Sequence, residues 1–215
     1  MKKWDFFAEA RTDLTGPLAG VKVLEATTTW AGPMCGAILA AMGAQVVKVE
    51  SSRRPDPTRA TMPAFFQRLN GGKAEQRLDF AASDDRARLF ELIAAADVLI
   101  TSARPRAFAG LGLAPEAVFA ANPGLVWVAI TGYGWTGGAG ERVAFGDDAA
   151  AAGGLVRWTN EGEPRFLGDA LADPVTGLTA AIGALEAAEA GGGCLVDVAM
   201  ARCAATAAAV CRGEL

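Results

Sequence analysis

The sequence predicts an α/β fold built on a doubly wound, mostly parallel sheet. Short runs rich in Val, Ile and Leu, typical of strands buried on both faces, alternate with longer segments that have an apolar face. The first run covers residues 21–25, and the helix after it begins near Pro33 and stops at Gly43, before a second run at 45–50. Strand, helix and strand within about thirty residues form a βαβ unit, so these two strands should be parallel.

Three further strands and four further helices continue this alternation. The strands are predicted at residues 97–101, 125–131 and 194–198. The helices are predicted to begin at Ser83 as an N-cap, after Pro115, at Asp173-Pro174 and, as an Ala-rich last helix, after the final strand. The polar, Pro-rich residues 51–63 and the Gly-rich residues 132–140 are predicted as loops. The sheet should therefore have five strands.

Polar and aromatic residues stand where three of the predicted strands end. They lie in the segments 28–30, 102–104 and 131–133. Ligands of open α/β sheets bind outside the carboxyl ends of the strands, so these segments are the expected site. No Gly-x-Gly-x-x-Gly follows the first strand, and the fingerprint of a dinucleotide site is therefore absent.

Composition removes several classes of partner. The formal net charge is -4, and no basic run stands beside aromatic residues, so no nucleic-acid partner is expected. The sequence does not open on a secretory signal, and no apolar stretch is long enough to span a membrane without interruption, so no membrane partner and a cytoplasmic location are predicted. The cysteines fit no common zinc spacing and are interpreted as small apolar core residues in a reducing compartment; they are Cys35, Cys194, Cys203 and Cys211.

The chain contains no histidine. Ser-His-Asp and Cys-His catalysis within this chain are thereby excluded, as are histidine metal sites and proton transfer by histidine. Any catalysis by this chain must use carboxylates, Lys, Tyr, Ser, Thr, Cys or backbone dipoles, and no metal site is predicted.

An ordered series of short motifs runs from about residue 16 to residue 210. The motifs include residues 17–25, Ala31-Gly32-Pro33, residues 43–50, Asp56-Pro57-Thr58-Arg59, residues 122–126 and residues 131–137. This series resembles the amino-terminal half of class III CoA-transferases of the CaiB/BaiF, formyl-CoA transferase type. The resemblance implies the Rossmann-like large domain of that family over residues 16–215, after an amino-terminal extension of residues 1–15, with the family's small domain absent.

The resemblance also implies a nucleophile. The family places an aspartate in Asp-x-x-(Thr/Ala)-Gly at the start of a helix, and Asp173-Pro174-Val175-Thr176-Gly177 matches that motif. Asp173 would attack an acyl-CoA, pass through a mixed anhydride and carry CoA as an aspartyl thioester, without histidine or metal. The alternative is structural, because an aspartate before proline is a good helix N-cap. Asp169 is the nearest competing carboxylate, and Asp147 and Asp148 are further candidates.

The CoA contacts implied by the resemblance come from several segments. They are Thr29, Trp30 and Ala31 for the pantetheine arm, Lys73, Ser102 and Arg104, and Tyr133 on the substrate side. Ser102 and Ala103 stand where the family commonly has Asn-Phe. The alternatives are a solvated surface lysine for Lys73 and a half-buried core ring for Tyr133. Arg53 and Arg54, like Arg104, are candidates for the CoA phosphates.

The function that the resemblance implies is transfer of CoA from an acyl-CoA to a carboxylate acceptor, with coenzyme A bound as a substrate. The family forms interlocked dimers, so a homodimer or a hetero-oligomer with a second CoA-transferase-like subunit is expected. A non-catalytic CoA-binding or scaffold subunit is the alternative. A generic nucleotide-binding domain is a third hypothesis.

Overall fold

The structure is a computed structural model that describes residues 15–214. The strands are β1 Lys22–Ala26, β2 Gln45–Ser51, β3 Ala74–Leu78, β4 Val98–Thr101, β5 Val126–Thr131, β6 Val156–Trp158, β7 Pro164–Phe166 and β8 Cys194–Ala199. The helices are α1 Ala31–Ala41, α2 Thr58–Thr61, α3 Pro63–Asn70, α4 Ser83–Ala94, α5 Pro105–Gly110, α6 Pro115–Ala121, α7 Gly146–Ala152, α8 Ala172–Glu189 and α9 Met200–Arg212. A 3-10 turn covers Gly137–Glu141.

Six strands form one parallel sheet in the order β3-β2-β1-β4-β5-β8. β1 lies between β2 and β4, and Val23 faces Val46 on one side and Val98 on the other. The strand order therefore reverses direction at β1, which makes the gap between β1 and β4 the switch point where open α/β sheets bind ligands. The predicted doubly wound parallel fold is confirmed.

Both faces of the sheet are covered because successive side chains of each strand point to opposite sides. On one face Val23 packs with Leu39 of α1 and Ala181 of α8. On the other face Leu24 packs with Leu89 of α4 and with Trp127. Burial on both sides explains why these strands are continuous apolar runs.

Several predicted elements differ from the structure. The predicted loop at 51–63 contains α2 and the first residue of α3, and β3 adds a sixth strand at the sheet edge. Two short antiparallel strands, β6 and β7, form a separate hairpin. Ser83 does not cap α4, because it is the first helical residue and its hydroxyl contacts Asp84.

Burial divides the cysteines into two pairs. Cys35 and Cys203 are buried as predicted, whereas Cys194 and Cys211 are exposed, so the core interpretation is wrong for those two. The predicted amino-terminal extension, apart from residue 15, lies outside the described residues. Within residues 15–214, no helix is both long and apolar enough to cross a membrane.

Small residues bring α1 and α8 into close contact on one face of the sheet. A Cβ built on Gly177 would lie 2.8 Å from the Ala31 carbonyl oxygen and 3.0 Å from Met34 Cβ. The backbone of α8 therefore rests directly against the first turn of α1. This contact places the first turn of α8 beside the carboxyl ends of β1 and β4.

We expect the substitution Gly177→Ala to lower the free energy of unfolding by about 1–3 kcal/mol, because the added methyl group meets backbone that cannot move without shifting a helix. Gly183→Ala is the matched control on the same helix. The Cβ there meets a side-chain methyl of Val196 at 3.0 Å, and the gain in helix propensity of up to about 1 kcal/mol should offset it. Urea denaturation of both variants tests this expectation, and equal effects would contradict it.

Candidate functional site

Asp173 is a buried carboxylate at the switch point. It is the second residue of α8 and is 9% exposed. Its Oδ1 accepts a hydrogen bond of 3.2 Å from the backbone N–H of Ala31, the first residue of α1. The N-cap of α8 is Leu171, and no side chain caps this helix, so the interpretation of Asp173 as its cap is wrong. The carboxylate instead faces the amino terminus of a neighbouring helix.

Gly146 allows a third element to approach the same carboxylate. It begins α7, and a Cβ at this position would overlap Asp173 Oδ2 and lie 2.6 Å from the Ala170 carbonyl oxygen. Any side chain here would displace Asp173. The amino-terminal ends of α1, α7 and α8 thus meet around one carboxylate, and their partial positive charges favour an anion there. No motif in the sequence around Gly146 predicts this contact.

A small cavity opens beside Asp173 and adjoins a larger one. The smaller has a volume of about 100 Å³, and Asp173, Ile130 and Met200 are among its walls. The larger has a volume of about 580 Å³ and extends past Arg53 and Arg54. The residues that line both cavities are Thr28, Thr29, Ser102 and Phe145. A long ligand in the larger cavity can therefore bring one end to Asp173.

Burial raises the pKa of Asp173 from its usual 3.8 to about 6. The backbone N–H groups of Ala31 and Gly146 oppose this rise, while the negative charges of Asp147 and Asp169 add to it. Desolvation is the largest cause because the carboxylate loses most of its water. The group is therefore ionised near neutral pH but is poorly hydrated, which are the properties of an activated oxygen nucleophile.

The competing carboxylates lie in a different environment. Asp147, Asp148 and Asp169 are all exposed. Asp148 accepts the N–H of Phe145 at 3.1 Å, and Asp147 accepts the N–H of Asp148 at 3.0 Å. Among Asp147, Asp148, Asp169 and Asp173, only Asp173 is both buried and part of a cavity wall.

The predicted CoA contacts divide into two groups. Thr29, Ala31 and Ser102 line the smaller cavity, and Thr29 and Ser102 also line the larger one. Trp30 lines neither cavity and packs edge-to-face against Phe65, with ring centroids 5.2 Å apart. The structure therefore brings three of the seven predicted contacts to the wall of the small cavity that Asp173 also lines.

The other three predicted contacts, like Trp30, do not line either cavity. The Lys73 ammonium is buried and donates to Glu25, to the Pro33 carbonyl at 2.8 Å and to Asn70 Oδ1 at 2.9 Å. The solvated alternative for Lys73 is thus wrong. Arg104 donates to the Glu141 carbonyl at 3.4 Å. The half-buried ring of Tyr133 lies under the Arg142 guanidinium, 3.9 Å from its centroid.

The described residues offer no cluster of metal-ligating side chains. In the part of the chain that the structure describes, no three Cys, Asp or Glu side chains stand close enough to hold a metal ion.

Phe145 lines both cavities although it is 62% exposed, and it is not among the residues predicted from the sequence. Its apolar ring lies where the two cavities meet, but no sequence motif marks this position.

The strand order and the buried carboxylate at the switch point define a doubly wound α/β domain with adjoining cavities at the ends of β1, β4 and β5. Residues 18–211 match the family described as CoA-transferase family III. The chain belongs to that family. The predicted resemblance is therefore confirmed.

Three comparisons show how far the similarity extends. The chain is 33% identical over 187 residues to a succinate–glutarate CoA-transferase of Agrobacterium fabrum, covering 80% of this chain. It is 35% identical over 189 residues to the beta subunit of a succinyl-CoA–L-malate CoA-transferase of Chloroflexus aurantiacus, covering 82% of this chain. It spans 46% of the length of each relative. A crystal structure of a hypothetical protein from Mycobacterium tuberculosis superposes with a TM-score of 0.85 at 30% identity, covering 93% of this chain and 58% of that one.

The raised pKa of Asp173 predicts how stability depends on pH. Folding favours the protonated form of Asp173. Its contribution to the free energy of unfolding is therefore most favourable below about pH 4 and is lost as pH rises to about 6. Asp173→Asn does not titrate, and we expect it to be as stable as the wild type near pH 4 but more stable by up to about 3 kcal/mol near pH 8. Urea denaturation at the two pH values measures this difference. The exposed Glu189→Gln, at the other end of α8, is the control, and parallel pH profiles for wild type and Asp173→Asn would contradict the expectation.

Proposed function

We propose that this chain transfers coenzyme A from an acyl-CoA to a carboxylate acceptor, with Asp173 as the nucleophile. One observation carries the proposal: a buried, ionisable carboxylate lines the smaller of two adjoining cavities, opposite the amino terminus of α1. Membership of CoA-transferase family III supports the reaction class. The relatives described above are named as CoA-transferases that act with succinate, glutarate or malate, and their names support carboxylic acids as the acceptor class.

The reaction would follow the covalent route of the family. An Asp173 oxygen attacks the thioester carbonyl, the C–S bond breaks, and CoA leaves as the thiolate with a mixed anhydride on Asp173. The thiolate then attacks the Asp173 carbonyl and releases the first acyl group as a carboxylate. The acceptor carboxylate attacks the resulting aspartyl-CoA thioester, and the same two steps run in reverse to give the new acyl-CoA.

The local structure suits the charges that this route creates. The Ala31 N–H at the amino terminus of α1 donates to Asp173 Oδ1, so it would stabilise the negative charge that develops on this oxygen when the CoA thiolate attacks the Asp173 carbonyl. No step in the route requires a proton to be removed from the nucleophile, because Asp173 is ionised above pH 6. The absence of histidine from the sequence is therefore compatible with this chemistry.

The larger cavity is the proposed place for CoA. Backbone at Thr28 and Thr29 would receive the pantetheine arm, and the thioester would reach the smaller cavity at Asp173. Arg53 and Arg54 line the other part of the larger cavity and offer positive charge to the phosphates. This arrangement assigns no direct contact with CoA to four of the predicted residues, which are Trp30, Lys73, Arg104 and Tyr133.

A second subunit is part of the proposal. One of the relatives described above is named a beta subunit. Large apolar side chains are exposed on α8 and on the hairpin; they are Leu178, Ile182, Trp158 and Phe166. We propose that a second CoA-transferase-like chain, or a second copy, covers such surfaces and helps to exclude water from the anhydride. We place the complex in the cytoplasm, where the free thiols of the chain would stay reduced.

A non-catalytic CoA-binding or scaffold subunit is the second candidate. The family resemblance assigns Lys73, Arg104 and Tyr133 to CoA or substrate, but they do not line either cavity. Ser102 and Ala103 also replace the residues that are common at the end of β4. A scaffold would stabilise its partner equally well with or without the Asp173 carboxylate.

The two candidates differ in their response to Asp173→Ala. If Asp173 is the nucleophile, exchange of labelled CoA into acyl-CoA should fall at least about a thousandfold, because the covalent step is removed. The exposed carboxylate in Asp169→Ala is the matched control and should retain most activity. The assay is run on the chain alone and with candidate partner chains. Equal exchange by wild type and Asp173→Ala would contradict the assignment.

Phosphate recognition by the larger cavity is tested separately. The double substitution Arg53→Ala and Arg54→Ala should raise the Kd for CoA by about tenfold or more, because charge-assisted hydrogen bonds to phosphate are lost. Titration calorimetry measures the effect, and pantetheine, which lacks the nucleotide, should bind both forms alike. Arg212→Ala removes an exposed arginine that pairs with Glu214 and serves as the control. An unchanged Kd in the double variant would exclude these arginines as phosphate ligands.

A further inference from the structure

Two buried lysines and two buried carboxylates lie beneath the turn that joins β1 to α1. Lys48 of β2 is fully buried and donates to the Thr27 carbonyl at 2.8 Å and to Glu25 Oε1 at 3.1 Å. Its ammonium also lies 3.5 Å from Asp56 Oδ2. Lys73 pairs with the other oxygen of Glu25. The charges of these four groups are thus balanced, as those of groups removed from water must be.

Asp56 connects these charges to the turn itself. It is 1% exposed, and its Oδ2 accepts the backbone N–H of Thr29 at 3.1 Å. Its Oδ1 accepts the N–H and the hydroxyl of Thr58, at 3.0 and 2.6 Å. The N–H of Asp56 donates to Glu50 Oε2 at 3.1 Å. The carboxylate is held from several directions and has little freedom to move.

The residue that Asp56 holds has an unfavourable backbone conformation. Thr29 has a φ of 68°, in the left-handed region that a β-branched residue rarely adopts. Such a conformation persists only where the surroundings fix it, and it concentrates at functional sites. Thr29 lines both cavities, and two residues later the N–H of Ala31 donates to Asp173.

We infer that Asp56, fixed by Lys48 and Thr58, is a positioning residue for the site. It holds Thr29 in the left-handed conformation, and this conformation sets both the cavity wall at Thr28–Thr29 and the direction of the Ala31 N–H. Its effect on CoA rests on the proposed function, whereas its effect on the turn does not. The competing explanation is that the buried charges only stabilise the core.

The test uses Asp56→Asn, which keeps the shape of the side chain and removes its charge. We expect amide hydrogen exchange at Thr29 and Ala31, followed by NMR, to become at least about tenfold faster. The Kd for CoA should rise about tenfold, because the turn is no longer fixed in its binding conformation. Thr58→Val is the milder variant. It removes the 2.6 Å hydroxyl contact to Asp56 and should give a smaller effect of the same kind.

Rescue separates positioning from general stability. Glycine adopts positive φ about as readily as negative φ, so adding Thr29→Gly to Asp56→Asn should restore a large part of the lost CoA affinity. Asn122→Ala is the matched destabilised control. It loses hydrogen bonds to the carbonyls of Ile93 and Ala96, which precede β4 at the opposite end of the sheet. It should lower the melting temperature without changing exchange at Thr29 or CoA affinity.

Each outcome has a separate meaning. If Asp56→Asn and Thr58→Val lower the melting temperature but leave exchange at Thr29 and Ala31 unchanged, the positioning role is overturned. A lost affinity that Thr29→Gly does not restore overturns it as well. If the wild-type chain, alone and with candidate partners, binds no CoA while Asp56→Asn still accelerates exchange at the turn, the proposed function fails and the positioning of the turn stands.

Discussion

The hydrogen bond between the Ala31 N–H and the Asp173 carboxylate is the contact on which the site depends. It joins the first residue of α1 to the second residue of α8 across 142 positions of the chain. Close packing of the two helices at Gly177 makes it possible. Because the carboxylate is buried there, its pKa rises, and because helix termini face it, it still ionises near neutral pH. The same contact therefore links the packing of two helices to the ionisation of Asp173.

The turn between β1 and α1 shows how that contact is supported. Buried charges at Lys48 and Asp56 hold Thr29 in a conformation that its own side chain disfavours. A hydrophobic core would stabilise the domain, but it offers no directed hydrogen-bond acceptor for the Thr29 N–H. A directed, charged acceptor fixes the turn in one geometry, which is what a cavity wall beside the proposed nucleophile requires.

Sequence patterns predicted the central sheet because strands buried on both faces are continuous apolar runs. They missed β3, an edge strand whose alternating residues Glu75 and Arg77 face solvent. Asp173 was recognised from a local motif, but its partner, the Ala31 N–H, depends on how α1 and α8 pack. Nothing in the sequence near Gly146 indicates that a side chain at this position would overlap the Asp173 carboxylate. Lys73 matched a family position, yet only the fold shows that its ammonium is buried.

The central claim is that CoA becomes covalently attached to Asp173. The most direct measurement is peptide mapping by mass spectrometry after the chain, with any partner it requires, has been incubated with an acyl-CoA and the thioester has been reduced with borohydride. The account predicts reduction of one aspartate side chain to an alcohol, in the peptide that contains Asp173 and in no other. Modification of a different carboxylate, or turnover with no modified carboxylate in this chain, would contradict it.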